Sequence, residues 1–130
     1  MAISQGRGMA TNLLLMLAML LVIRAHCSSA AVINVGDRVS WTLPSIDYSR
    51  WAASKGIRVN DVLRFTYSSE LHNVLQVTKA DYDSCGSRKP LAAYSNGNTM
   101  VRLPRRGTYY FICGVPGHCS AGMKMAVTVT

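Results

Sequence analysis

An all-β domain, a two-sheet Greek-key sandwich or barrel, is the fold this sequence predicts, and three observations predict it. Beyond residue 30 no segment keeps a 3.6-residue apolar period over three turns, whereas period-two alternation recurs throughout. Turn-forming residues (Val35-Gly36-Asp37, Lys55-Gly56, Asn60-Asp61, Asn96-Gly97-Asn98 and Arg105-Arg106-Gly107) cut that stretch into short runs. About seven runs then fall within 100 residues, a density that suits a sandwich or barrel and leaves no room for two ordinary cores.

Taken in order, the expected strands begin with Ala31 to Val35 and Arg38 to Thr42, on either side of the Gly36 turn. The stretch Ile46 to Ser54, with Tyr48, Trp51 and Ala52-Ala53, is read as one short helical segment. Asp61 to Tyr67, Asn73 to Thr78, Thr99 to Leu103 and Thr108 to Cys113 follow as strands. The last is Lys124 to Val129, where Met125, Val127 and Val129 share one face and Lys124, Ala126 and Thr128 the other. No internal repeat or low-complexity tract interrupts this order.

Residues 1–30 read differently. Leu13 to Ile23 is a run of 11 apolar residues, about half the ~20 needed to cross a bilayer as a helix. Arg7 precedes it, and Ser28 and Ala30 place small residues at the two positions a signal peptidase reads. The expectation is a secretory leader over 1–30, cut after Ala30, and a domain over 31–130. Loss of Arg7 and Arg24 leaves 12 basic residues against 6 acidic ones, a formal +6. The C-terminal residues Lys124 to Thr130 form no spacer and hydrophobic tail, so no lipid or membrane anchor is expected. No Asn-x-Ser/Thr acceptor occurs either.

Once Cys27 leaves with the leader, Cys85, Cys113 and Cys119 remain. In an oxidising compartment two of the three should pair, leaving one thiol to be explained. The densest chemistry lies at Cys113-Gly114-Val115-Pro116-Gly117-His118-Cys119-Ser120-Ala121-Gly122-Met123, a Cys-x4-His-x4-Met pattern after the aromatic run Tyr109-Tyr110-Phe111. A strand end followed by a Gly/Pro loop folds such groups around one point, and His72 supplies a fourth from elsewhere in the chain. Taken singly, a histidine is more often a surface or hydrogen-bonded group than a ligand, and a methionine more often packing. The set of one thiolate, two imidazoles and one thioether has a specific use, which is copper. Thiolate and thioether suit Cu(I), imidazole suits both oxidation states, and a His2Cys plane with a weak axial Met lets the two states share nearly one geometry. The rival is structural zinc on Cys113, Cys119, His72 and His118, which strands Cys85 and leaves Met123 unexplained.

At these residues the chain resembles the phytocyanins, the plant blue copper proteins, and among them the plantacyanin or basic blue protein group. The resemblance covers residues 31–130. It is carried by Asp61-Val62-Leu63 with Phe65 and Tyr67, by His72-Asn73-Val74, by Tyr109-Tyr110-Phe111-Ile112-Cys113, and by Pro116-Gly117-His118-Cys119 with Gly122-Met123-Lys124. It implies a cupredoxin-like fold of about seven to eight strands and one type 1 copper per chain. His72, Cys113 and His118 would be its equatorial ligands and Met123 its axial one. It also implies a Cys85–Cys119 disulfide, which makes Cys113 the unpaired thiolate. Met123 stands where the stellacyanin branch has glutamine. One departure is Gly36-Asp37-Arg38-Val39-Ser40-Trp41, where family members have more glycine before the tryptophan.

The implied activity is single-electron transfer outside the cell, in the apoplast or cell wall. Four protein ligands leave no position open to substrate, so no enzyme is expected. The competing reading is an extracellular signalling or cell-wall interaction protein, of the kind the family contributes to plant reproduction and pollen tube guidance, with copper mainly structural. Export argues against nucleic acid as the partner of the positive charge. Acidic partners, a redox protein or wall polysaccharide, are favoured through steering, and the chain is expected to be a monomer.

Overall fold

The computed structural model describes residues 11–19 and 30–130. The expected cleavage region up to Ser29 lies outside them. Residues 11–19 form an exposed helix, α1. Among the described residues no helix is long and apolar enough to cross a membrane.

Among the described residues, seven strands build two sheets. The first is three-stranded, in the order β1 (Val32–Asn34), β2 (Val62–Thr66) and β5 (Asn98–Arg102). The second is four-stranded, in the order β4 (Ala92–Tyr94), β3 (Val74–Val77), β6 (Gly107–Ile112) and β7 (Lys124–Val129). Strand β1 runs parallel to β2, and every other pairing is antiparallel. The expected all-β sandwich is therefore the observed one, and β7 has the predicted bounds and the predicted inward face.

Leu63 and Phe65 of β2, Val101 of β5, Val74 of β3, Phe111 of β6 and Met125, Val127 and Val129 of β7 meet between the sheets in one core. Burying each such large side chain contributes roughly 1.5–3 kcal/mol. A file of aromatic rings runs through this core. Tyr48 lies 4.8 Å from Trp41, Trp41 lies 5.2 Å from Phe65, and Phe65 lies 5.2 Å from Phe111. Ring contacts at these separations contribute about 0.5–1.5 kcal/mol beyond area burial. Tyr48 opens helix α2 (Tyr48–Lys55), which Asp47 caps by accepting from the Arg50 amide and Gly56 ends at φ 61°. The helix packs on β7, whose Ala126 amide donates to Ser49 Oγ at 2.9 Å.

Besides the unforeseen strand β4, two features depart from the sequence reading. The segment Arg38 to Thr42 is not a strand, for Asp37–Val39 is a 3-10 turn and Trp41 an isolated buried anchor. The alternation of Val39 and Trp41 suggested pleating, but Gly36, Asp37 and Ser40 all take positive φ (74°, 51° and 64°). Trp41 is instead held by its own bond, Nε1–H to the Asn73 carbonyl at 2.9 Å. Asp37 and Ser40 stand in backbone that favours glycine, and Ser40, at ψ −165°, in a region essentially reserved for it. This is the segment where the chain carries less glycine than its resemblance suggests. The second departure is an added layer. Helix α3 (Lys79–Ser84), capped by Thr78, covers the outer face of the four-stranded sheet. Tyr82 and Cys85 pack there against Leu75, Val77 and Ile112.

Candidate metal centre

Three strand ends converge at one pole of the sandwich. Strand β2 delivers the chain into the loop Tyr67–Leu71, where the His72 amide donates to the Ser68 carbonyl at 3.0 Å and sets the ring just before β3. Strand β6 ends at Ile112, so Cys113 is the first residue past the sheet. The loop to β7 is a lattice of short backbone bonds: His118 N–H to Val115 O at 3.0 Å, Ala121 N–H to Gly117 O at 3.1 Å and Gly122 N–H to Cys119 O at 2.9 Å. Gly117 and Gly122 provide φ of 82° and 103° in that loop. At Gly122 a Cβ would meet only Ser45 Oγ, which can turn aside, so it is the φ of 103° that calls for glycine there.

Met123 closes the loop. Its amide donates to the His118 carbonyl and its carbonyl accepts from the Cys113 amide, both at 3.0 Å. The side chain is fully buried.

The ligand atoms of His72, Cys113 and His118 all lie within 4.8 Å of one another. The two Nδ1 atoms are 3.1 Å apart, and Cys113 Sγ is 3.5 Å from His118 Nδ1. Cys113 is a free thiol with no exposed surface, His72 is buried and His118 half-buried. Burial pushes the His72 pKa below its ordinary 6.5, and a positive charge on the facing His118 ring adds to the effect. A neutral imidazole and a cysteine with no disulfide partner, able to give up its proton, suit a soft metal.

Cys85 and Cys119 form a disulfide across 34 residues. That pairing removes Cys119 as a ligand, and with it the Cys2His2 zinc alternative. It also ties the residue after His118 to the end of α3. There Lys124 Nζ stands 4.3 Å from the Tyr82 ring centre and donates to the Tyr82 carbonyl.

Sequence reasoning did not foresee the part played by Asn73. Its side-chain oxygen accepts from the Gly114 amide at 2.6 Å, while its carbonyl accepts from Trp41. One residue thus joins the His72 segment, the Cys113 loop and the aromatic core. The only sequence signal was a short amide beside a candidate ligand.

A two-sheet sandwich with a His-Cys-His cluster at its pole defines a cupredoxin-type metal domain. Residues 41–123 match the family described as Plastocyanin-like domain. Stellacyanin of Toxicodendron vernicifluum is 41% identical over 103 residues, spanning 76% of this chain and 96% of that protein. Chemocyanin of Lilium longiflorum is 39% identical over 127 residues, spanning 96% and 98%. The solved structure of cucumber basic protein, a blue copper protein, superposes with a TM-score of 0.68 at 35% identity, over 76% of this chain and 99% of that one. The chain belongs to the phytocyanin family of blue copper proteins, and the cofactor that its donor set fits is one copper ion.

Proposed function

We propose that this chain is an exported carrier of single electrons of the plantacyanin type. The observation that carries this reading is the closeness of the His72, Cys113 and His118 ligand atoms, within 4.8 Å of one another. The chain's own bonds hold them: His118 and Cys113 through the Met123 backbone, Gly114 through Asn73, and the far side of the loop through Cys119. A site framed this way has little freedom to rearrange between oxidation states, which favours fast transfer.

In this reading His72, Cys113 and His118 would hold the metal, with Met123 as a fourth and weaker donor. Copper, when bound there, supplies a one-electron Cu(II)/Cu(I) couple. Cys113 would contribute the thiolate, and its covalency with copper would give the blue colour. The buried ring of His72 excludes water from one side, and the half-buried ring of His118 offers the shorter way to the surface. With no ligand position left for substrate, the chain is not an enzyme. Its net positive charge favours an acidic partner in the wall space, a redox protein or a polysaccharide, with the carrier acting as a monomer.

The test is to export the full chain from a eukaryotic host, load Cu(II), and record the visible spectrum and metal content. An intense blue band at one copper per chain is expected. Cys113→Ser should abolish the band while Cys85 and Cys119 remain bridged. A colourless protein holding one zinc in preference to copper would overturn the reading.

A further inference from the structure

Far from the metal, at the opposite end of β2, Asp61 is 6% exposed. Its Oδ2 accepts from the Arg58 amide at 2.8 Å and its Oδ1 from the Ala31 amide at 2.9 Å. The ion pairs among the described residues are Lys55–Asp37 and Lys79–Asp83, and neither involves Asp61. A carboxylate is therefore buried on two neutral donors without an ion pair of its own, so the two N–H groups offset part of its desolvation cost and a cation placed on it would offset more.

One of those donors is the residue at which the leader reading starts the mature chain. We propose that cleavage of the Ala30–Ala31 bond supplies the missing charge: the new α-ammonium of Ala31 pairs with Asp61 and pins β1 to the sheet. The proposal rests on the export reading above and adds a structural role for the cut. In the hydrolysis the C–N bond breaks, the hydroxyl of water goes to the Ala30 carbonyl carbon, and the nitrogen takes a hydrogen and then a second proton. A neutral amide at 2.9 Å from Oδ1 becomes a cation at the same place.

The geometry is selective for the position of the cut. A cut one residue earlier leaves Ala31 as an amide and moves the charge outward by a Cα spacing of about 3.8 Å. Strand β1 has the most to gain, because it is a three-residue edge strand paired on one side only, to β2. Its hold begins with the Val62 amide donating to the Ala31 carbonyl at 2.9 Å. A cleft of about 340 Å³ lined by Ala31, Ile33, Lys55, Gly56, Arg58 and Asp61 leaves the three ammonium hydrogens room for water as well as for Asp61. Two cations share that cleft, Lys55, which is held on Asp37 at 2.7 Å, and Arg58, which is exposed.

The experiment uses the full chain exported and copper-loaded, with four versions compared: wild type, Asp61→Asn, a glycine inserted between Ala30 and Ala31, and both changes together. Intact mass gives the first residue, the blue band shows that the metal site is formed, and denaturant unfolding gives stability. The inserted glycine should lower the folding equilibrium constant about tenfold with Asp61 present and less than about twofold with Asp61→Asn. The rate at which the α-amine is acylated serves if Asp61→Asn fails to fold. It should be several-fold slower in wild type than in the glycine-inserted chain. A first residue other than Ala31 in the wild-type chain overturns the proposal and the cut together. Equal effects of the insertion in both backgrounds, or equal acylation rates, overturn the pair alone. The blue band reports on the copper reading separately in every sample.

Discussion

Cys113 and Met123 are joined through their backbones, the Cys113 amide donating to the Met123 carbonyl at 3.0 Å. A thiolate and a thioether ten residues apart in sequence are therefore held in one rigid frame, and the side chain at position 123 can be changed with little movement of the thiolate. An amide oxygen is harder than a thioether sulfur and favours Cu(II). Met123→Gln should keep the blue colour and lower the reduction potential, whereas Met123→Leu should raise it. Met125→Leu is the control, since Met125 is buried in the β7 core opposite Phe111. That swap should cost at most about 1.5 kcal/mol and leave the potential alone. Protein-film voltammetry reads all three, and a shift at Met125 without one at Met123 would mean that the wrong methionine has been named.

Asn73→Ala removes the acceptor of the Gly114 amide without touching a ligand atom. Leaving that half-buried N–H unpaired should cost about 1–3 kcal/mol and should speed copper release, because the loop after Cys113 loses its tie to the His72 segment. Asn73→Asp keeps the acceptor oxygen and should recover most of the release rate. Chelator competition followed at the blue band measures both variants. Equal release rates for Asn73→Ala and wild type would remove Asn73 from the frame of the site.

Replacing both Cys85 and Cys119 by serine opens a loop of 34 residues. The chain-entropy estimate of the loss is roughly 3–4 kcal/mol. Because Cys119 follows His118 directly, the copper-free protein should lose more order in residues 114–122 than in the sheets. Hydrogen exchange of the metal-free variant would show this as lost protection in the loop with β6 and β7 preserved. Uniform loss across both sheets would argue for a merely global effect.

His72 titrates below 6.5 because burial, and then the charge on His118, disfavour its imidazolium form. The folded metal-free chain thus binds that proton less readily than the unfolded chain does. Its contribution to stability is complete above about 6.5 and is lost as pH falls through the lowered folded value. Melting of metal-free wild type and His72→Gln between about pH 5 and 7.5 should therefore show a steeper acid decline for wild type. Parallel curves would place the acid sensitivity in another group.

The parts of the fold that the sequence showed are those where one chemical pattern dominates. Lys124 to Val129 alternates cleanly because its inner face meets the core and its outer face stays half-buried or exposed, so periodicity alone located β7 to the residue. Helix α3 has six residues and β4 has three, too few for either period to emerge. Their placement is decided by tertiary contacts, the disulfide and the tilted packing of Tyr82 on Tyr110 at 5.2 Å. The strand expected over Arg38 to Thr42 failed for a related reason. Alternation there was genuine, but the positive φ of Ser40 and the indole bond of Trp41 override it. At the metal centre the donor types were legible because few other uses combine them. The scaffold bonds were not, since Asn73 acts through its position beside Gly114 and no composition encodes that.

The burial of Cys113 decides which disulfide the chain acquires. Three thiols beyond residue 30 allow three bridges, and Cys113 and Cys119 are the nearest pair along the chain, so proximity in an unfolded chain favours the wrong one. Exchange requires an accessible thiolate, and in the folded domain Cys113 has no exposed surface. Selection among isomers thus belongs to the order of events: once β6 has docked and Cys113, just past its end, is covered, pairing is left to Cys85 and Cys119. Oxidation ahead of docking would consume the thiolate that the metal needs, so the protein's capacity for colour is settled by a race between sheet closure and thiol chemistry.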